Sequence, residues 1–260
     1  MRFGITALGS GSRGNAILLH TEEGGILVDA GFSRKELIAR LAICGLNPGK
    51  IKALLISHEH GDHVNGARLF SDDYEIPTYL TAKTGQYLND LGKLGKKRFF
   101  FETGSVFEVK PFNIRPFAVP HDAVDPVGFV ISVDSVKVGI ATDLGHMNPL
   151  CIQRLRDCDA LILECNHDVE MQRKSERGIR LKRRVLGKHG HLSNDDAMNA
   201  LDSLVTEKTK FVFLVHLSSD CNEHSLVQEI GSRKLADMRR NDILLTVVAQ
   251  DKPSGTIWIL

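Results

Sequence analysis

The chain has 260 residues, 42% of them hydrophobic, enough for one large domain or two small ones with a substantial core. Its 33 Lys and Arg against 32 Asp and Glu leave a formal charge of +1, which identifies no partner, since a neutral sum can hide a segregated basic face. Five cysteines, odd in number and without a CxxC pair, argue against a disulfide framework and fit a reducing cytoplasm, and no apolar run approaches the roughly 20 residues that cross a bilayer.

Residues 3–8 read as a first strand, and the opening ten residues turn glycine-rich and polar too early for a secretory segment. Gly9-Ser-Gly-Ser-Arg-Gly-Asn15 follows as a loop. It either turns the chain, its glycines taking φ > 0, or lines a phosphate pocket with backbone N–H groups and the side chains of Ser10, Ser12 and Asn15. Residues 16–19 and 25–28 look like paired strands, and Ser33 with Glu36 three positions on forms a capping box that opens a helix through Cys44.

Residues 53–56 are the short apolar run expected of a strand buried on both faces, and polarity arrives abruptly as Ser57-His-Glu-His-Gly-Asp-His63. In extended geometry His58 and His60 project to one side, while Asp62 and His63 follow Gly61 and open a helix. Four potential ligands thus leave one strand tip together. Imidazole suits Zn, Fe or Mn, and a carboxylate among the histidines adds a harder donor, so a metal site is the natural reading and chance polarity the alternative.

Beyond it, residues 76–80 are strand-like, residues 81–91 helical, and Lys93, Lys96, Lys97 and Arg98 a basic, solvated loop. Residues 106–109, 113–119, 128–133 and 136–141 make a second series of strands, followed by a helix at 149–156 and a buried strand at 160–165. Arg173, Lys174, Arg177, Arg180, Lys182, Arg183, Arg184 and Lys188, against only Glu170 and Glu176, form the densest basic segment, read as a nucleic-acid contact. Ser193 and Asp196 cap a helix over 195–205, and His191 either belongs to that cap or serves as a proton donor. A strand ending at His216, a helix to about residue 240 and strands at 243–248 and 256–260 complete the chain, with no repeat of fixed period.

Ser57-His-Glu-His-Gly-Asp-His63 resembles the signature of the metallo-β-lactamase superfamily. That resemblance implies an α/β fold, a four-layer αβ/βα sandwich that takes residues 1–260 as a single hydrolase domain, with two divalent ions at one edge. Carried onto these positions, the pattern gives His58, His60 and His121 to one ion and Asp62, His63 and His216 to the other, with Asp143 bridging. An Asp at the bridge favours a hard pair that clamps phosphate, and lactam hydrolysis becomes the weaker reading. Asp29, in the stretch Val28-Asp-Ala-Gly31, is implied as a residue that orients the ligand histidines, and Asn166 and His167 as further supports.

Several further blocks resemble the YycJ/WalJ family of bacterial single-strand DNA 5′ exonucleases. They are Gly9-Ser-Gly-Ser-Arg-Gly-Asn15, Thr142-Asp-Leu-Gly145, Glu164-Cys-Asn-His-Asp168, Gly190-His-Leu-Ser-Asn194 and His216-Leu-Ser218. The resemblance implies a cytoplasmic exonuclease on single-stranded DNA, using Zn or Mn, with Fe a third candidate. Asp62, Asp143 and His191 would do chemistry, and Ser10, Ser12, Asn15, Arg180, Arg183, Arg184 and Ser218 would hold substrate. Cys165, Cys221 and the stretch 174–179 depart from the family pattern, which bears on substrate contacts and not on the metal ligands. The competing readings are a phosphodiesterase for small cyclic or phosphonate-derived esters and a metal-binding accessory protein without turnover.

Overall fold

A computed structural model describes residues 2–259. Met1 and the expected end of the last strand at Leu260 lie outside them. The strands β1 (Phe3–Gly9), β2 (Ala16–Thr21) and β3 (Gly24–Val28) form an antiparallel meander buried at every residue, as a sheet covered on both faces requires. Ser33 caps α1 (Arg34–Ile43) by accepting from Glu36 N, while the Glu36 carboxylate turns instead to Arg40 Nε at 2.7 Å, so only half of the expected capping box forms. Next come β4 (Ile51–Leu55), the short helices α2 (Gly61–Val64) and α3 (Ala67–Asp73), then β5 (Thr78–Thr81), α4 (Ala82–Asp90) and β6 (Arg98–Phe101).

The second half runs β7 (Phe107–Val109), β8 (Phe112–Ala118), β9 (Val127–Val133), β10 (Val136–Ala141), α5 (Pro149–Leu155) and β11 (Ala160–Glu164). It continues with α6 (Val169–Lys174), α7 (Ile179–Val185), α8 (Asn194–Leu204), β12 (Phe211–Val215), α9 (His224–Asp237), β13 (Leu244–Val247) and β14 (Thr256–Ile259). Among the described residues these strands form two seven-stranded sheets, ordered β14-β1-β2-β3-β4-β5-β6 and β13-β12-β11-β10-β9-β8-β7.

Apolar residues of both sheets, among them Phe3, Ile26, Phe112, Phe129 and Phe213, share the central core. Leu37, Leu41 and Phe70 line the helical layer outside the first sheet, and Leu155, Leu201 and Val227 the layer outside the second. The result is the four-layer αβ/βα sandwich. Two elements differ from the sequence reading. Arg98 opens a strand, because the apolar run behind it pairs in parallel with β5, and α3 was not anticipated. The basic segment is two short helices interrupted at residues 175–178, where Ser175 takes an extended ψ of 156°. Strands β3 and β4 run parallel, as do β10, β11 and β12, so their carboxyl ends bring catalytically useful loops to one edge.

Candidate metal centre

The four buried histidines of the cluster at that edge, His58, His63, His121 and His216, each have one ring nitrogen assigned by a neighbour. His63 Nδ1 lies 2.7 Å from Asp29 Oδ2, His216 Nδ1 lies 2.7 Å from Glu164 Oε1, and His121 Nδ1 lies 3.0 Å from the Gly190 carbonyl. Carboxylates and carbonyls only accept, so each Nδ1 carries the hydrogen. The Ser57 hydroxyl donates to Asp29 Oδ2 at 2.8 Å and therefore accepts from His58 Nδ1 at 2.9 Å. In its neutral form each of the four rings is thereby held in the tautomer that leaves Nε2 as a bare lone pair.

These lone pairs converge on one another and on carboxylates. His58 Nε2 and His121 Nε2 stand 3.0 and 3.2 Å from His60 Nδ1, where a single hydrogen can satisfy only one of them. His121 Nε2 is also 3.5 Å from Asp143 Oδ1, and His63 Nε2 is 2.9 Å from Asp143 Oδ2. Asp62 Oδ2 lies 3.3 Å from His216 Nε2 and 3.5 Å from His63 Nε2. Asp143 Oδ2 is buried without a hydrogen-bond donor, which follows if His63 presents a lone pair to it. Cations between these atoms remove the conflict. Three donor groups each gather within 4.8 Å, His58-His60-His121-Asp143, Asp62-His63-His216 and Asp143-Glu164-His191-His216. Glu164 takes the Nδ1 hydrogens of both histidines in the third, which leaves the first two as the candidate ion sites, and Asp143 touches both.

The two ends differ electrostatically. Burial, reinforced by neighbouring imidazoles, lowers the His58 and His60 pKa values and keeps both rings neutral, as ligands must be. Burial also opposes charge on His63 and His216, but there it is outweighed. Asp143, Asp29 and Asp62 push His63 above the ordinary imidazole range, and Asp143, Asp62 and Glu164 push His216 to about 10. The carboxylate end therefore requires positive charge, which protons or a divalent ion can meet.

Three of the site residues adopt left-handed backbone, Asp29 at φ 61°, Asp143 at φ 53° and His216 at φ 59°, each just beyond a strand end. Such conformations are disfavoured for non-glycine residues and persist where surrounding structure fixes them. Asp29 N donates to Leu55 O at 2.8 Å, and His216 N donates to Ser10 Oγ at 2.9 Å. Gly31 admits the closest approach: a Cβ there would stand 1.7 Å from the Asp62 carbonyl oxygen.

A cavity of 560 Å³ opens over this cluster. Ser12, His60, Asp62, Asp143, Asn166, His191 and His216 line it on the sheet side, and Arg177, Leu181, Arg184 and Val185 roof it from α7 and the turn before it. Ser10 and Asn15 do not line it, contrary to the sequence reading. Ser10 Oγ donates to Asn15 Oδ1 at 2.7 Å, and Asn15 Nδ2 lies 3.1 Å from His63 Nε2, so both brace the cluster from behind. Ser218 is likewise buried and accepts from Arg177 Nη2 at 3.2 Å. Arg180 and Arg183 are exposed and do not line the cavity, while Arg184 lines it and pairs with Asp122. Cys165 and Cys221 are buried, and neither lines the cavity.

Asn166 Nδ2 donates to the His216 carbonyl at 2.8 Å, steadying the loop that carries that ring. His167 is not brought to the cluster; it is buried behind Asn166, burial lowers its pKa, and its Nδ1 has no partner among the described residues. Two residues were missed. Glu164, fully buried, receives His191 Nδ1 at 2.9 Å and His216 Nδ1 on Oε1, and Leu144 N and Leu192 N at 2.7 and 3.0 Å on Oε2. Its sequence signals were a charged residue ending an apolar strand and its place at the head of the block Glu164-Cys-Asn-His-Asp168, neither of which gave it a role. Arg177, counted in the basic run but not singled out, reaches the cavity and pairs with Asp220 at 2.7 Å.

The sandwich and its histidine-carboxylate edge define a metallo-hydrolase of the β-lactamase superfamily, and the sequence profile of the Beta-lactamase superfamily domain matches residues 25–217, so the chain belongs to that superfamily. It is 33% identical over 235 residues to the Exodeoxyribonuclease YycJ of Bacillus anthracis, covering 90% of this chain and 89% of that protein. It is 34% identical over 238 residues to the Exodeoxyribonuclease WalJ of Streptococcus pneumoniae, covering 90% and 88%. The chain is a member of this YycJ/WalJ family. The metallo-beta-lactamase fold protein YhfI from Bacillus subtilis superposes over the whole of both chains with a TM-score of 0.75 at 17% identity, which shows the shared fold. No helix among the described residues is long and apolar enough to cross a membrane.

Proposed function

We propose that the protein is a cytoplasmic 5′-to-3′ exodeoxyribonuclease acting on single-stranded DNA with two divalent ions, Zn or Mn with Fe a third candidate. The observation that carries this reading is the meeting of two donor groups at Asp143 beneath a pair of arginines. His58, His60 and His121 would hold one ion and Asp62, His63 and His216 the other, with Asp143 shared. Divalent ions there supply Lewis acidity and make hydroxide available near neutral pH. The names of the two relatives support deoxyribonucleic acid as the substrate.

The chain's own residues account for binding and proton supply. Arg177 and Arg184 line the cavity and bring two guanidinium groups, donors suited to phosphate oxygens, to its wall. Arg177 is held by Asp220, Ser218 and Gln172 and Arg184 by Asp122 through Nε and Nη2, so an arriving phosphate takes the N–H groups these leave over or exchanges with the carboxylates. His191 lines the same cavity with its Nδ1 on Glu164. Burial opposes its charge, but the Glu164 carboxylate outweighs burial and holds the ring above the ordinary imidazole range. Its other nitrogen can therefore deliver a proton to a leaving alkoxide.

The purified protein incubated with Mn²⁺ and 5′-labelled single strands should release labelled mononucleotides, and Asp143→Ala should not. Absence of release by the wild-type protein across Mn²⁺, Zn²⁺ and Fe²⁺ rejects the nuclease reading. Turnover of a cyclic nucleotide without turnover of the strand supports the small-ester alternative, which the compact cavity and the absence of Phe, Tyr and Trp from its described lining also accommodate.

A further inference from the structure

A second concavity, of 490 Å³, lies on the outer face of the second sheet, away from the metal cluster. Its floor is the middle and far end of β8, β9 and β10, and its wall is the carboxyl end of α5. Gly139 lets that helix close down on the strands: a Cβ there would stand 2.8 Å from Leu155 Cδ2. Along β8, Arg115 is six residues before His121, about 20 Å of extended chain.

Four cationic residues line this concavity, Arg115, Lys137, Arg154 and Arg156, against one carboxylate, Asp157. Some cations elsewhere on the surface meet acids, as in Arg34–Asp73, Arg177–Asp220, Lys208–Asp159 and Lys234–Asp202. None of these four does among the described residues. The side chains of Arg115, Lys137 and Arg154 make no hydrogen bond or ion pair there, and Arg156 reaches only the Ser203 carbonyl, at 3.4 Å. Arg154 Nε is shut off from solvent with no acceptor. A guanidinium N–H buried without a partner is costly, and like charges gathered in one concavity repel. An anion seated among them relieves both.

We propose that this concavity is a binding site for a compact ligand bearing two or three adjacent phosphate groups. Several cations around one concavity match a dense anion better than an extended chain. The lining carries no aromatic side chain on which a base could stack, so the phosphates are the recognised group. Arg115 and Lys137 reach in from the sheet floor and Arg154 from the helix wall, so the anion is held from two sides. The site is independent of the proposed nuclease chemistry and uses none of its residues.

The test uses full-length protein freed of divalent ions, with inorganic triphosphate as the probe, titrated calorimetrically. A nucleoside triphosphate is the second arm, because equal affinity identifies the phosphate chain as the recognised group and tighter binding identifies a nucleotide. The double variant R115E/K137E alters two side chains with no intramolecular partner, so folding is retained, and a thermal melt verifies it. Binding should weaken by about 10-fold or more for each charge reversed, the size expected of charge-assisted contacts to phosphate. R180E/R183E, on the exposed face of α7, should bind as the wild type does. No measurable triphosphate binding, binding unchanged in R115E/K137E, or binding lost on Arg177→Ala overturns the proposal, as does a single-stranded oligonucleotide that depends on Arg115 and Lys137 while triphosphate does not.

Discussion

Glu164→Gln is the substitution whose effect can be worked most fully from the structure. The side chain keeps its size, but one carboxylate oxygen becomes an NH₂ group. Glu164 accepts from two imidazole N–H groups on Oε1 and from two backbone N–H groups on Oε2. A glutamine can serve only one pair. If its oxygen faces the imidazoles, its NH₂ opposes Leu144 N and Leu192 N, leaving two buried donors unsatisfied. If it is flipped, the NH₂ faces His191 and His216, and Nδ1 of each must become the acceptor, which puts the hydrogen of His216 on the nitrogen that faces Asp62. The flipped arrangement keeps the hydrogen bonds and shows in metal affinity; in the first, two unsatisfied buried donors cost about 1 to 3 kcal/mol each, about 2 kcal/mol or more of stability. In a domain of this size that lowers the melting temperature by about 4 °C or more. Loss of the residue that orients a ligand histidine should weaken metal binding about 10- to 100-fold. Calorimetric titration of Zn²⁺ into metal-free protein, paired with a thermal melt, reads both effects. A Glu164→Gln protein with wild-type affinity and melting temperature would refute the tautomer argument, because nothing else assigns the His216 hydrogen to Nδ1.

Other substitutions separate the parts of the site. Arg177→Ala and Arg184→Ala should each raise KM for single-stranded DNA and reduce the slope of log affinity against log salt by about 0.7, as loss of one phosphate contact does, whereas Arg180→Ala and Arg183→Ala should change neither. His191→Ala should lower kcat by about 10² to 10⁴ with metal content unchanged, measured by single-turnover cleavage and metal analysis of the same sample. Gly31→Ala should destabilise the fold by about 3 kcal/mol or more, since its Cβ meets backbone on both sides; an unchanged thermal melt would contradict the close packing of this turn on Asp62 and Asn15.

Much of this centre was legible in the sequence, because ligand chemistry and strand ends are both local signals. Ser57 to His63 announces itself by an abrupt change from apolar to ligating residues. His121, Asp143 and His216 stand where apolar runs stop, and the superfamily pattern supplied their partnership. What was not legible depends on distant chain segments. Glu164 ends an apolar strand just as a turn residue would, and its four donors come from residues 144, 191, 192 and 216. Ser10 and Asn15 sit in a glycine-rich loop of the kind that cradles phosphate, yet their side chains turn inward because His216 N and His63 occupy them. Left-handed backbone at Asp29, Asp143 and His216 carries no glycine to mark it, since the fold imposes it. The strand β6 hid behind a run of lysines, and Arg177 was one cation among eight until the turn before α7 brought it to the cavity. The fold class needed only the alternation of apolar segments and turns together with the motif.

The account rests on two donor groups that share Asp143 and hold two ions. Metal content per chain, measured on protein loaded with Mn²⁺ or Zn²⁺ and exchanged into metal-free buffer, tests this most directly. Two ions per wild-type chain, falling to one or none in Asp143→Ala, is the expected result. One ion or none in the wild-type protein, or two ions retained when Asp143 is replaced, would contradict it.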